Sequence, residues 1–189
     1  VSTKSGDTNP LGELNLVWNE TYMSASMESI LTGYDDPRIA VYFAPCTDEQ
    51  FKNTYRGIRQ GTCFSHSHYA GLSKLTVTQT TDAPLMTSSE IWFLRAEAAL
   101  FWPEFGDAET LYKEGISMSF SENGINSAVD SYLLSGLQPI AVSLSEPINY
   151  SAPSPTKATP EFTGTNEEKL EKIMIQKWIS MYPNGQEAW

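Results

Sequence analysis

The chain has 189 residues, 40% of them hydrophobic and 19% charged, enough to bury one substantial core and globular rather than disordered in composition. Twelve basic residues against 23 acidic ones give a formal net charge of −11, which disfavours nucleic acid and direct electrostatic docking on anionic lipid. No apolar run reaches the roughly 18 residues of a membrane-spanning helix.

The opening Val1-Ser2-Thr3-Lys4 is polar and loop-like rather than a secretory signal, and the closing Gln186-Glu187-Ala188-Trp189 reads as the first turn of another helix. Both ends mark the chain as a fragment. After a lead-in bearing Gly, Asn and Pro, Met23, Met27, Ile30 and Leu31 recur at helical spacing and predict a helix over 19–32, with Gly33 as its stop. Asp35-Asp36-Pro37 then predicts an extended segment over 38–43, closed by Pro45. Residues 46–86 have no sustained period and are rich in Gly, Ser and Thr, so they are expected to form a long irregular region of the kind that carries function.

The stretch 87–124 reads as a helical hairpin with the spacing of one tetratricopeptide repeat. Trp92 and Ala96 fall on its first helix, and Ala108, Tyr112 and Gly115 on its second. Thr87 and Glu90 form a capping box ahead of Ile91, Leu94 and Ala98. Asp107 is placed to N-cap the second helix after the break at Pro103 and Gly106, and Asn123-Gly124 to stop it. Arg95, Ala99 and Phe120 depart from the repeat pattern, so a plain helical hairpin is the alternative. Residues 127–137 predict a short helix, and 145–165 a loop broken by Pro147, Pro153, Pro155 and Pro160. A strong helix follows from the capping box Thr165 and Glu168, with Leu170, Ile173, Met174, Trp178 and Met181 on one stripe. Ile175, Ile179 and Tyr182 make a second stripe, and Pro183-Asn184-Gly185 ends the helix. Of the aromatics, Trp92, Trp178 and Tyr112 are read as core.

Three segments together resemble the SusD/RagB family of outer-membrane lipoproteins from Bacteroidetes. They are Gly33-Tyr34-Asp35-Asp36-Pro37-Arg38 with Tyr55-Arg56-Gly57-Ile58-Arg59-Gln60-Gly61; the stretch 83–124 with Phe93-Leu94-Arg95-Ala96-Glu97-Ala98-Ala99; and 169–189 with Gln176-Lys177-Trp178 and Tyr182-Pro183-Asn184-Gly185. Their order looks like the C-terminal half of such a protein. The resemblance implies a mainly α, SusD-like fold with tetratricopeptide-like hairpins and long irregular loops, residues 1–189 forming the C-terminal part of a single domain. It further implies a surface-exposed, lipid-anchored outer-membrane location and non-catalytic capture of glycans or other nutrients for a SusC-like TonB-dependent transporter. The lipidated cysteine of the family is not among these residues, and neither Cys46 nor Cys63 should be mistaken for it. Those two permit one disulfide, or two buried thiols.

Three patterns invite chemistry. Cys63, His66 and His68 form C-x2-H-x-H, but the two His share a face only in an extended chain and a fourth ligand is lacking, so no metal or other cofactor is expected. Asp35-Asp36 and Glu167-Glu168 are paired carboxylates of the type glycoside hydrolysis needs, yet capping and a helix-ending turn account for both. Tyr55, Arg56, Arg59, His66, His68 and Tyr69 cluster in the irregular region and combine aromatic faces with hydroxyl-binding groups, making them the candidate glycan-binding residues. Arg56 and Arg59 have a structural alternative as partners of nearby carboxylates. Trp102, at the hairpin turn, is the candidate contact with a partner. A tetratricopeptide adaptor and a glycoside hydrolase are the competing functional classes.

Overall fold

The computed structural model describes residues 7–61, 65–125, 129–145 and 148–185, which fall into two compact units. Val1–Ala83 with Pro139–Thr156 make the first, and Pro84–Gln138 with Lys157–Trp189 the second. The architecture is mainly helical, as expected, with one small sheet among the described residues.

Unit 1 begins with a helix inside the expected lead-in, α1 (Pro10–Leu16). Asn9 caps it by accepting from the Leu11 N–H at 2.9 Å, and Pro10 stands where a missing N–H costs nothing. Helix α2 (Ala25–Gly33) is shorter than the predicted 19–32 because Ser24 caps it and Asn19, at φ 58°, has left the helical region. Gly33 is its last helical residue rather than its stop; Asp35, at φ 53°, takes the left-handed position that Asp tolerates. The predicted extended segment is instead the helical turn α3 (Ile39–Tyr42). Proline restricts the residue before it, but is itself compatible with a helix start, and the Asp36 carboxylate accepts the Arg38 N–H at 3.0 Å to begin the turn.

Asp36 and Arg38 then form an ion pair at 2.6 Å with both side chains fully buried. The irregular region is irregular, interrupted by the single turn α4 (His66–Tyr69) and by isolated bridges such as Ser24 to Ile58. The expected loop after residue 145 pairs instead: β1 (Val142–Leu144) lies antiparallel to β2 (Tyr150–Ala152), with Leu144 opposite Tyr150. Strands of three residues are too short to show a period. Val142, Leu144 and Tyr150 form the core of this unit with Ala25, Leu72 and Cys46, whose Sγ lies 3.4 Å from the Ser73 hydroxyl. Cys63 lies outside the described residues, as does the start of the predicted 127–137 helix.

Unit 2 is the predicted hairpin, α5 (Ser88–Phe101) and α6 (Ala108–Glu122), with α7 (Val129–Leu133) and α8 (Asn166–Ser180) against it. Asp107 caps α6 as expected. At its end Gly124 is left-handed at φ 70°, and the Ile125 and Gly124 N–H groups close onto Phe120 and Ser121 carbonyls at 2.8 and 3.0 Å. The cap of α5 differs from expectation. Thr87 accepts the Glu90 N–H, but the first-turn N–H groups of Ser88 and Ser89 go to the Glu122 carboxylate at 2.7 and 3.2 Å, so the end of α6 closes the start of α5.

The buried stripe of α5 is Ser89, Phe93, Ala96 and Ala99, whereas the expected Ile91 and Leu94 are exposed. Gly115 explains why: a Cβ there would stand 2.7 Å from the Phe93 ring, so the helices meet over Phe93 and a missing side chain. Trp92 is consequently half-buried, with the Arg95 guanidinium 4.4 Å from its ring centre. Tyr112 is core, fully buried against Phe93 and Phe162, its hydroxyl donating to the Pro160 carbonyl at 2.8 Å. The capping box of α8 is complete. Its buried face is shifted, with Lys172 and Gln176 flanking Ile173 and Ile179, and Trp178 is half-buried. Both polar groups are spoken for: Lys172 donates to Thr159, Glu161 and Thr163, and Gln176 to the Tyr132 hydroxyl.

Candidate functional site

The segment 55–60 of unit 1 is laced between the start of α2 and the β1–β2 hairpin. Ile58 exchanges backbone bonds with Met23 and Ala25 at 2.8 and 2.9 Å, and Gly57 lies so close that a Cβ would stand 2.4 Å from the Ser24 carbonyl oxygen. Beneath it the buried Glu28 accepts the Gly57 N–H at 2.7 Å and pairs with Arg56 Nε at 3.2 Å. Burial raises the Glu28 carboxyl above its usual range, against the Gly57 N–H and the Arg56 charge. Tyr150 donates to the Gly57 carbonyl at 3.0 Å, and burial, assisted by the Glu28 charge, pushes its phenol up to about 12. Arg56 also donates to the Ser143 carbonyl and stands over Phe51 at 5.3 Å. Its structural alternative is therefore filled: Arg56 neutralises a buried carboxylate and ties three segments together.

The same segment turns Arg59 and Gln60 outward. They line a cleft of about 250 Å³ together with Ser26 and Ser29 of α2, Val142 and Ala152 of the hairpin, and Pro153 and Pro155 after it. Tyr55 is half-buried at the other end of the segment.

A second group forms around α4. Tyr69 meets Tyr22 edge to face at 5.0 Å and His66 at 5.4 Å, while His66 Nε2 lies 2.8 Å from the Asn19 amide nitrogen and 3.1 Å from the Tyr22 hydroxyl. Lys74 donates to the Asn19 side chain and stands 5.8 Å from the centre of the Tyr22 ring. The outer face of the group is a set of aromatic edges bordered by an amide, an imidazole and an ammonium. Its polar members favour hydroxyl-rich ligands. His68 is exposed on the next position but one of the same turn.

The six predicted residues thus divide. His66 and Tyr69 come together, Arg59 lines the cleft, Arg56 is turned inward, and Tyr55 and His68 flank these groups. Sequence reasoning missed Tyr22 and Asn19, which were absorbed into an overlong helix, although Asn before a Ser-capped helix is itself a signal for a left-handed turn. It also missed Gln60, Ser26 and the two prolines, whose convergence depends on the hairpin that was read as loop.

The other patterns are placed plainly. Asp36 belongs to the buried ion pair, and Glu168 to the α8 capping box, where the Thr165 N–H and hydroxyl hold its carboxyl below the usual range. Asp36 is fully buried in that pair, so it does not face a cleft beside Asp35. In unit 2 the turn after α5 exposes Phe101, Trp102 and Phe105, with Phe101 and Trp102 edge to face at 6.0 Å. Among the described residues no group of His, Cys, Asp or Glu is arranged as a metal site, and no helix is long and apolar enough to cross a membrane.

The SusD-like family model, described as Susd and RagB outer membrane lipoprotein, matches residues 1–189. None of the curated proteins compared with the chain matches it. Among solved structures, a SusD homologue from Bacteroides vulgatus is 38% identical with a TM-score of 0.81, over 98% of this chain and 39% of that one. A chitin-binding SusD homologue from Flavobacterium johnsoniae is 37% identical with a TM-score of 0.85, over 96% of this chain and 38% of its own. A third, from Bacteroides ovatus, is 33% identical with a TM-score of 0.89, over 98% and 41%. The chain, which spans about two fifths of the length of these structures, belongs to the SusD-like family of outer-membrane lipoproteins.

Proposed function

We propose that this chain is the C-terminal portion of a single-domain, surface-exposed, lipid-anchored SusD-like protein that binds glycans without transforming them and passes them to a SusC-like TonB-dependent transporter. The observation that carries the reading is the joining of aromatic edges to hydroxyl-binding groups in unit 1, at Tyr22, Tyr69, His66 and Asn19. Sugars offer apolar ring faces edged by hydroxyls, and such a surface matches both. The chitin-binding relative supports a saccharide ligand for this one. Trp102 and the exposed aromatics around it supply the surface proposed for the transporter.

The test is binding of the full-length protein to a panel of bacterial, plant and host glycans, with reducing-end release assayed in parallel. Binding without release is expected. Reproducible release of reducing ends would replace the capture reading with a hydrolytic one, and failure to bind any glycan would overturn it.

A further inference from the structure

At the start of α5, within unit 2, lies a cleft lined by Pro84, Leu85, Met86, Thr87, Glu90, Met181 and Asn184. Leu85 is wholly exposed and Met86 mostly so, while Met181 is buried. At about 140 Å³ the cleft falls well below the roughly 300 to 1,000 Å³ of pockets that enclose drug-sized ligands, and it suits one protein side chain.

Glu90 is its charged member. The spacing from Thr87 promises a capping box, yet the start of α5 is closed by Thr87, which accepts the Glu90 N–H, and by Glu122, which accepts from Ser88 and Ser89 at 2.7 and 3.2 Å. The Glu90 carboxylate itself accepts no hydrogen bond and joins no ion pair among the described residues. A first-turn carboxylate suits the helix dipole, which accounts for its sign but not for its place on a cleft. Asn184 donates its amide to the Pro84 carbonyl at 3.2 Å, so its side-chain oxygen remains an acceptor. The cleft thus combines aliphatic surface with hydrogen-bond acceptors, one of them charged, and the described lining holds no Lys, Arg or His. A lysine or arginine side chain is the complement: its stem packs on apolar surface and its head only donates. The helix start, which would otherwise repel a cation, has first-turn N–H groups covered by Thr87 and by the Glu122 carboxylate.

The cleft also joins the aromatic surface at the other end of α5. Ile91, Leu94 and Phe101 are exposed and recur at spacings of three and seven residues, so they share one face of a helix about 20 Å long that leads from Met86 to Trp102.

We propose that the transporter surface around Trp102 extends along this face of α5 and is anchored at the cleft, which takes a lysine or arginine side chain of the transporter against the Glu90 carboxylate, an inference that rests on the reading of this chain as the partner of a SusC-like channel. Trp102 supplies apolar contact at one end of the interface, and Glu90 supplies charge at the other.

The experiment is co-purification of the full-length protein with its co-expressed SusC-like channel over a series of salt concentrations, with thermal unfolding of each variant alongside. Glu90→Gln should lower the retained fraction about fivefold at low salt and narrow the difference between low and high salt. Glu90→Asp should keep part of the retention, and Glu90→Lys should abolish it. The unfolding midpoint of Glu90→Gln should stay within about 2 °C of wild type, the scale of a first-turn charge. Wild-type retention of Glu90→Gln, or a loss that is the same at every salt concentration, overturns the anchor and leaves the Trp102 surface standing. A midpoint lowered by more than that, whatever the retention, assigns the cleft to another part of the same polypeptide and overturns the anchor as well. A wild-type protein that binds glycan but retains no channel overturns the transporter reading, and the anchor with it.

Discussion

Unit 2 buries Phe93, Ala96, Tyr112, Ile116, Phe120, Ile173 and Ile179 to full inaccessibility on helices of which α6 and α8 are capped locally and α5 partly by Glu122 at the end of α6. Unit 1 has fewer residues in regular structure and closes itself with polar groups reaching far along the chain: Asn15 to the carbonyls of residues 75 and 77, Glu28 to Gly57, Tyr150 to Gly57 and Arg56 to Ser143. A packed helical hairpin satisfies its backbone internally, so its interior is free to be apolar. A region of loops must find partners for every buried N–H and C=O, and side chains supply them. The same outward-turned loops leave polar and aromatic groups convergent at a surface, which is what binding requires.

The sharpest way to break this contrast is to remove one element of each kind. Phe93→Ala takes an aromatic from the packed core of unit 2 and should cost about 3 to 5 kcal/mol. Asp36→Ala should cost a similar amount, about 3 to 5 kcal/mol, by leaving the Arg38 guanidinium buried without its carboxylate. The two differ in rescue. Asp36→Leu with Arg38→Met should recover most of the loss, because apolar groups of similar volume replace a buried pair well, whereas nothing but volume restores Phe93. Urea unfolding of the single and double variants decides it; a wild-type midpoint for Asp36→Ala would show that unit 1 does not depend on its polar closure.

A smaller effect separates close approach of helices from close approach of backbone. Gly115→Leu should cost about 1 to 3 kcal/mol by overpacking against the Phe93 ring, and leave glycan binding intact. Gly57→Ala sets a Cβ against the Ser24 carbonyl at 2.4 Å, where no side chain can swing aside, and should reduce glycan binding together with stability because the loop carrying Arg59 shifts. Stability loss without any change in glycan affinity for Gly57→Ala would disconnect the lacing from the site.

How much of this was legible in the sequence follows the same division. Much of unit 2 was readable because its spacing and most of its caps are local: Asp107, Thr165 with Glu168, and Gly124 do what their positions foretell, whereas Glu122 closing the start of α5 is a distant contact. The face was read one step off: Ile91 and Leu94 look like core by residue type, but the geometry is set by Gly115, which admits the Phe93 ring and turns α5 accordingly. In unit 1 the candidate residues lie in a stretch whose irregularity was expected, but how each of them is placed could not be read from it. Nothing local distinguishes Arg56 from Arg59, three residues apart, until Arg56 is seen to reach Glu28 and Ser143 while Arg59 lines the cleft. The β1–β2 hairpin was hidden by strands of three residues in a proline-rich stretch.

The polar closure of unit 1 also has a pH signature that unit 2 lacks. Glu28 is raised above the ordinary value of 4.5 by burial, so in the window between the two values the folded protein keeps a proton the unfolded chain has lost. Its contribution to stability is therefore full below the ordinary value, falls as pH rises through that window, and levels off above it. In unit 2, Asp107 and Glu168 are shifted the other way by their capping bonds, giving stability that is lost as pH falls, and their exposure keeps it small. Glu28→Gln should flatten the fall in the unfolding midpoint as pH rises above the ordinary carboxyl value of 4.5. An unchanged profile would mean that the Arg56 and Gly57 contacts cancel the effect of burial at Glu28.

The smallest change in stability, and the one that separates the two surfaces, belongs to Trp102. Trp102 is 56% exposed and touches Phe101, itself 48% exposed, so Trp102→Ala should move stability by no more than about 0.5 kcal/mol. Exposed aromatics grouped at a rigid turn lose little solvent contact within the fold, and gain most when a partner covers them. Trp102→Ala should therefore leave glycan affinity at the wild-type level and weaken co-purification with a SusC-like channel. The control is Tyr69→Ala, which removes the edge-to-face partner of Tyr22 and His66 and packs on the core of unit 1; it should lower glycan affinity and the unfolding midpoint together. Loss of glycan affinity with intact channel association after Trp102→Ala would exchange the roles of the two surfaces.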